Sequence, residues 1–278
     1  MPKRKRSRTA QGVTAERAVL TESGVLDDPY ARELLTPLWT GFVRVVRRWP
    51  EASHAGLVTR AGLGARVLWH DARLNESLDA GIDQVAVIGA GYDTRTWRLG
   101  RDGVQFFELD HPTTQLDKIA RAPKPGPTYV PADLRDQSAA AELAAHGFDA
   151  SRSAHFILEG LTMYLTADGL CDQLRALAEG SANGSRITLD FHPPAGAGTT
   201  ADRRLMKMQR FFRSGSGETL RLLVDRREAC ELVGSSGWSV TEAASMRDIA
   251  RALIPPESGL PVDAINEHRT VVGALNRR

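Results

Sequence analysis

From Val85 onward the chain alternates short apolar runs with longer stretches whose apolar positions recur every three or four residues. Val85 to Ile88 is continuously apolar and partly β-branched between Gln84 and Gly89, the pattern of a central parallel strand buried on both faces. Further strands are predicted at Val104 to Leu109, Thr128 to Pro131, Ala154 to Leu158 and Arg186 to Phe191. Helices between them are predicted at Thr113 to Ala122, Ser138 to His146 and Thr166 to Glu179. This alternation implies an α/β fold with a doubly wound, parallel sheet.

Upstream, Leu63, Val67, Leu74 and Leu78 fall at helical spacing in Thr59 to Ala80, which ends at Gly81. Val13 to Thr36 is rich in helix formers, and Asp27-Asp28-Pro29 reads as the cap of a second helix starting near Tyr30. Both are expected to be lid helices, within a lid region of residues 13–58. Downstream of Phe191 the segment HPPAGAGTT, a helix at about Ala201 to Arg213 and the turn GSGE suggest a lid insertion over residues 192–220. A helix at Arg226 to Ser235, a strand at Trp238 to Glu242, a Pro-containing loop through Pro261 and a last strand at Thr270 to Leu275 complete the reading.

Composition narrows the setting more than the chemistry. At 278 residues, with no internal repeat or evident linker, the chain is expected to form a single domain with an added lid. Lys and Arg number 36 against 34 acids, so no global field draws it to nucleic acid or an acidic membrane. Cys171 and Cys230 lack the spacing of a disulfide framework or zinc cluster, and no metal is expected. No apolar run approaches the roughly 20 residues of a membrane span, and a cytoplasmic setting is expected. The basic start, with Lys3, Arg4, Lys5, Arg6 and Arg8, reads as part of a disordered tail over residues 1–12.

Open α/β sheets bind ligands outside the carboxyl ends of their strands, where strand order reverses. Gly89 and Gly91 follow the first strand, Glu108 and Asp110 end the second, Asp133 follows the third and Glu159 the fourth. Glycines let the backbone turn sharply and approach a ligand closely. An acid ending the second strand can accept hydrogen bonds from two ribose hydroxyls, with Asp110 the candidate and Glu108 its neighbour. Asp133, with the backbone of Leu134, could orient an adenine edge.

A glycine turn could equally cradle the pyrophosphate of NAD, but that fingerprint needs a third glycine where this chain has Thr94. No Gly-Lys-Ser/Thr phosphate loop occurs either. A cofactor without phosphates fits better, and S-adenosylmethionine offers adenine, ribose and a charged amino-acid tail. Arg66, in the helix ahead of the first strand, is a plausible cation for that tail's carboxylate. An NAD-dependent oxidoreductase and a non-catalytic binding module remain the alternatives.

Across roughly Thr14 to Asn276 the chain resembles the leucine carboxyl methyltransferase family and its bacterial relatives. The resemblance rests on TAERAVLTES with DDPYA, ARV, VAVIGAGYDTRTWRL, FFELDHPTTQLDK, YVPADLRD and ILEGLTMYL. It implies a class I methyltransferase fold: Rossmann-like, with a mostly parallel seven-stranded sheet, an antiparallel last strand and a helical lid. It also implies cofactor contacts at Arg66, Gly89, Gly91, Asp110, Asp133, Leu134 and Glu159. Arg17 matches a basic lid position that can reach the cofactor, and Tyr164 a tyrosine facing the acceptor.

The expected reaction is O-methylation of a small-molecule or peptide carboxylate, a secondary-metabolite acid among the possibilities, with a hydroxyl or phenol acceptor as the alternative. A carboxylate with pKa near 4 is ionised at neutral pH and needs no general base. His192 is the candidate base for a phenol, whereas His111 in the DHP turn is expected to be structural. Arg203, Arg204, Lys207, Arg210 and Arg213 could hold the acceptor, although a charged surface face is the favoured reading. Trp39, Phe42, Met163, Met206 and Phe211 are expected in the core more readily than around an apolar acceptor.

Overall fold

The sequence folds around one seven-stranded sheet, seen in a computed structural model that describes residues 7–48, 54–194, 196–197 and 219–276. Three helices come first: α1 (Arg8–Glu22), α2 (Pro37–Arg48) and α3 (His54–Asp79). Then follow β1 (Gln84–Ile88), α4 (Arg95–Arg98), β2 (Gln105–Asp110), α5 (Pro112–Ile119), β3 (Thr128–Pro131), α6 (Ala139–Ala145) and β4 (Ala154–Leu158). After a 3-10 turn at Thr162–Tyr164 come α7 (Ala167–Glu179), β5 (Arg186–Phe191), α8 (Arg226–Ser235), β6 (Trp238–Ser245), α9 (Met246–Leu253) and β7 (Thr270–Asn276).

The strand order is β3-β2-β1-β4-β5-β7-β6, with the first five strands mutually parallel and β7 antiparallel between β5 and β6. The fold is therefore the class I methyltransferase arrangement expected from the sequence. Order reverses between β1 and β4, so the crevice lies beyond Ile88 and Leu158. β1 and β4 are buried along their whole length, including the polar Gln84 and His155 that accompany their apolar residues. On one face Ala86, Ile88, Phe107 and Phe156 pack against Leu170 and Leu174 of α7; on the other, Val85, Val87 and Ile157 pack against Leu74 and Leu78 of α3.

Three expectations change, and a fourth falls largely outside the described residues. The tail expected over residues 1–12 ends sooner, because Ser7 caps α1 through the Ala10 N–H and the helix starts at Arg8. No helix starts near Tyr30: Asp28 caps only a turn, accepting from the Ala31 N–H, and α2 begins at Pro37. The loop read through Pro261 contains α9, whose cap Ser245 accepts from the Asp248 N–H, and β6 runs on to Ser245. Of the lid insertion expected over residues 192–220, the helix from Ala201 to Arg213 and its charged and apolar candidates lie outside the described residues. No helix among the described residues is long and apolar enough to cross a membrane.

Candidate active site

Beyond β1 the chain turns through Gly89 and Gly91, whose φ angles of +71° and +55° suit glycine. A Cβ on Gly89 would meet the Leu161 side chain at 2.9 Å, so a side chain there would fill the turn's open face. The Gly89 and Ala90 N–H groups donate to the Leu109 carbonyl at 2.8 and 2.9 Å, binding the turn to β2. Asp110 fixes the same turn from the end of β2. Its Oδ2 accepts from the Gly91 N–H and its Oδ1 from the His111 N–H, both at 2.6 Å. Burial raises the Asp110 pKa, and these two N–H groups oppose the rise. Each oxygen still keeps accepting capacity.

Arg66 and Glu159 meet across the crevice. Arg66 Nε donates to Glu159 Oε1 at 3.0 Å, and its Nη1 lies 3.5 Å from Asp190 Oδ2 at the end of β5. Glu159 is also held by Arg95, whose Nη2 donates to Oε2 at 2.6 Å. Burial alone would raise the Glu159 pKa, but Arg95 and then Arg66 hold it well below the carboxylate range. Arg95 is 1% exposed and also binds Asp71, at 2.6 Å, and Asp93. Three carboxylates therefore share one buried guanidinium, and removing it would leave uncompensated charge.

At the end of β3, Asp133 is drawn into a pair with Arg135, whose Nε donates to Oδ1 at 2.8 Å. That bond lowers the Asp133 pKa to about 2. His111 Nδ1 accepts from the Thr113 N–H, and its Nε2 lies 3.9 Å from Asp133 Oδ2. Over these strand ends lies α1. Arg17 Nε donates to Asp28 Oδ2 at 2.8 Å, its Nη1 to the Tyr92 carbonyl at 3.0 Å and its Nη2 to Thr94 Oγ1 at 2.7 Å. This guanidinium thus ties the N-terminal helix to the glycine turn.

These groups line one cleft of about 280 Å³. It brings together Arg17, Arg66, Gly89, Gly91, Asp110, Asp133, Leu134, Glu159 and Tyr164, the residues implied by the family resemblance. The α1 cap Ser7 with Ala10 and Val13 of α1, then Leu161, Leu165, Thr219 and Arg221, supply further lining. Glu108 turns away from the ribose role considered for it: it is 1% exposed, pairs with Lys118, and burial lifts its pKa to about 7 against the lysine's pull. His192, the candidate base, lies outside the lining, and its Nε2 faces Arg269 Nη2 at 3.0 Å. Trp39, Phe42 and Met163 also lie outside it. Trp39 packs beside Gly12 of α1, Phe42 is exposed, and Met163 is buried.

Arg95, Asp190 and Arg221 had no assigned role from sequence. Asp190 is the penultimate residue of β5, so extending the strand-end rule by one strand would have found it. Arg95 stands in the DTR motif with its partner Asp93, but its other partners, Asp71 of α3 and Glu159 after β4, are distant in the chain.

A glycine turn beside a double-accepting acid, a buried guanidinium and a crevice at the strand reversal are the features a nucleotide cofactor calls for, here carried on a class I methyltransferase fold. The leucine carboxyl methyltransferase model matches residues 10–178, and the chain belongs to that family. An S-adenosyl-L-methionine-dependent methyltransferase assigned in Mycolicibacterium smegmatis is 32% identical, covering 84% of this chain and 82% of the relative. One from Mycolicibacterium paratuberculosis is 35% identical over 67% of each. A crystal structure described as a methyltransferase from Thermobifida fusca superposes with a TM-score of 0.58 at 18% identity, covering 100% of this chain and 97% of that one, a likeness of fold. The protein is a methyltransferase, and its cofactor is S-adenosylmethionine.

Proposed function

We propose that this enzyme forms a methyl ester on a carboxylate of a small-molecule or peptide acceptor. The observation that carries the reading is the state of the bases around the cleft. Among the described lining residues the only imidazole is His111, and its Nδ1 is spent on the Thr113 N–H. Asp93, Asp110, Asp133 and Glu159 are each held by arginines or backbone N–H groups. An acceptor that must lose a proton finds little help there; a carboxylate needs none. The name of the family points the same way.

The bound cofactor supplies an electrophilic methyl group on a sulfonium. In this reading Asp110 takes the ribose hydroxyls, Asp133 and the Leu134 backbone the adenine edge, and Arg66, steadied by Glu159, the amino-acid carboxylate. Gly89 and Gly91 let the backbone come close. Arg17 holds α1 over the site, where it excludes water, and Tyr164 faces the acceptor. Orientation in a dry cleft supplies the acceleration.

The test is transfer of a radiolabelled methyl group to candidate acids or cell extract, followed by mild alkali and trapping of volatile label. A methyl ester releases its label as methanol, and kcat stays nearly flat between about pH 6 and 9 because the nucleophile is already ionised. Replacing His192 by Gln changes kcat little. Alkali-stable label, with a rate that climbs with pH or collapses without His192, would assign a hydroxyl or phenol acceptor instead.

A further inference from the structure

Four arginines line the cleft among the described residues: Arg17, Arg66, Arg135 and Arg221. The first three are paired with Asp28, Glu159 and Asp133. Arg221 has no carboxylate partner among the described residues, and its side chain is exposed at the cleft. Its backbone is nonetheless firmly placed. The Arg221 N–H donates to the Met163 carbonyl at 2.8 Å and the Val224 N–H to the His192 carbonyl at 2.9 Å. Leu222 and Val224, 7% and 9% exposed, are sunk into the main core. A segment anchored at these alternate positions presents Arg221 on its other side, beside Tyr164, the residue following Met163.

Tyr164 in turn lies close enough to Arg66 to act on its charge. The cleft therefore holds Asp110, Arg66 and Tyr164 together with an arginine that has no carboxylate partner among the described residues. Resting on the carboxyl reading above, we propose that Arg221 is the acceptor anchor and makes the enzyme selective for carboxylates over neutral acceptors. Its guanidinium donates to one carboxylate oxygen and leaves the other to attack. The attacking oxygen forms the new O–C bond as the C–S bond of the methyl donor breaks. The bonding pair passes to sulfur, and no proton is released. A neutral acceptor of the same shape leaves the guanidinium unpaired and loses a charge-assisted bond.

The test uses the S-adenosylhomocysteine-saturated protein and calorimetric titration with octanoate, benzoate and phenylacetate beside their primary amides. Wild type is expected to bind at least one acid about ten-fold more tightly than its amide. Arg221→Ala should bring that acid to the amide's level, Arg221→Lys should keep part of the preference, and neither should change S-adenosylhomocysteine affinity. No acid preference in wild type, or a preference that survives Arg221→Ala, overturns the anchor. So does a loss of S-adenosylhomocysteine affinity in Arg221→Ala, which would give the residue to the cofactor. The alkali assay separates the two readings: labile label with unaltered Arg221→Ala turnover overturns the anchor alone, whereas stable label from wild type overturns the carboxyl reading and the anchor with it.

Discussion

Asp110→Asn isolates the carboxylate that joins the glycine turn to the cofactor. Each Asp110 oxygen accepts one backbone N–H at 2.6 Å, which leaves one further acceptor direction on each for a ribose hydroxyl. Asn keeps the shape and removes the charge. A charge-assisted hydrogen bond contributes about 1.5–3 kcal/mol and a neutral one about 0.5–1.5, so the exchange costs roughly 1 kcal/mol per hydroxyl. Two hydroxyls give roughly 2 kcal/mol, or about a 30-fold weaker Kd for S-adenosylhomocysteine. The new amide N–H must also face the Gly91 or the His111 N–H, a donor against a donor, which destabilises the turn by about 1–3 kcal/mol. Calorimetric titration at 25 °C reads the first effect and thermal unfolding the second. A Kd within two-fold of wild type, in a variant with native circular dichroism, would refute the ribose contact.

Arg66→Ala should weaken S-adenosylhomocysteine far more than 5'-methylthioadenosine, which lacks the amino-acid carboxylate; equal losses would place Arg66 elsewhere. Arg95→Met should cost about 3–5 kcal/mol of stability, because Asp71, Asp93 and Glu159 lose their shared cation, and denaturant unfolding of a variant within about 1 kcal/mol of wild type would contradict that. His70 of α3 and His155 of β4 are buried between helix and sheet, and burial lowers their pKa values to about 4 and about 3. The unfolded chain takes up protons on both below about pH 6.5 while the folded chain does not, so stability should fall as pH drops from 6.5 toward 4. Replacing His155 by Gln should flatten that slope in urea titrations, and an unchanged slope would show that other groups set it.

The sheet was legible wherever burial on both faces leaves an unbroken apolar run. Val85 to Ile88 is such a run and falls within β1, and β4 and β5 also start and stop where predicted although His155 and Asp190 interrupt their apolar positions. The site's backbone was equally readable, because ligand chemistry concentrates at strand ends and the glycine turn has few alternatives. What the sequence hid is pairing between distant elements. Asp28 looks like a helix cap and does bind the Ala31 N–H, but its carboxylate is also drawn to Arg17, and a turn results. Ser245 and Asp248 carry a real N-terminal signal for α9, which the later prolines obscured by marking the region as loop. The distant partners of Arg95, Asp71 and Glu159, could not be read from the chain. Nothing local distinguishes Asp71 from any other acid on a helix.

The account rests on one claim, that the cleft between β1 and β4 holds S-adenosylmethionine through Asp110 and Arg66. Its most direct test is titration of the purified protein with S-adenosylhomocysteine and, separately, with NAD. One S-adenosylhomocysteine bound per chain, weakened by Asp110→Asn and by Arg66→Ala, with no heat from NAD, is the predicted result. Binding of NAD, or S-adenosylhomocysteine affinity untouched by both substitutions in folded protein, would contradict it.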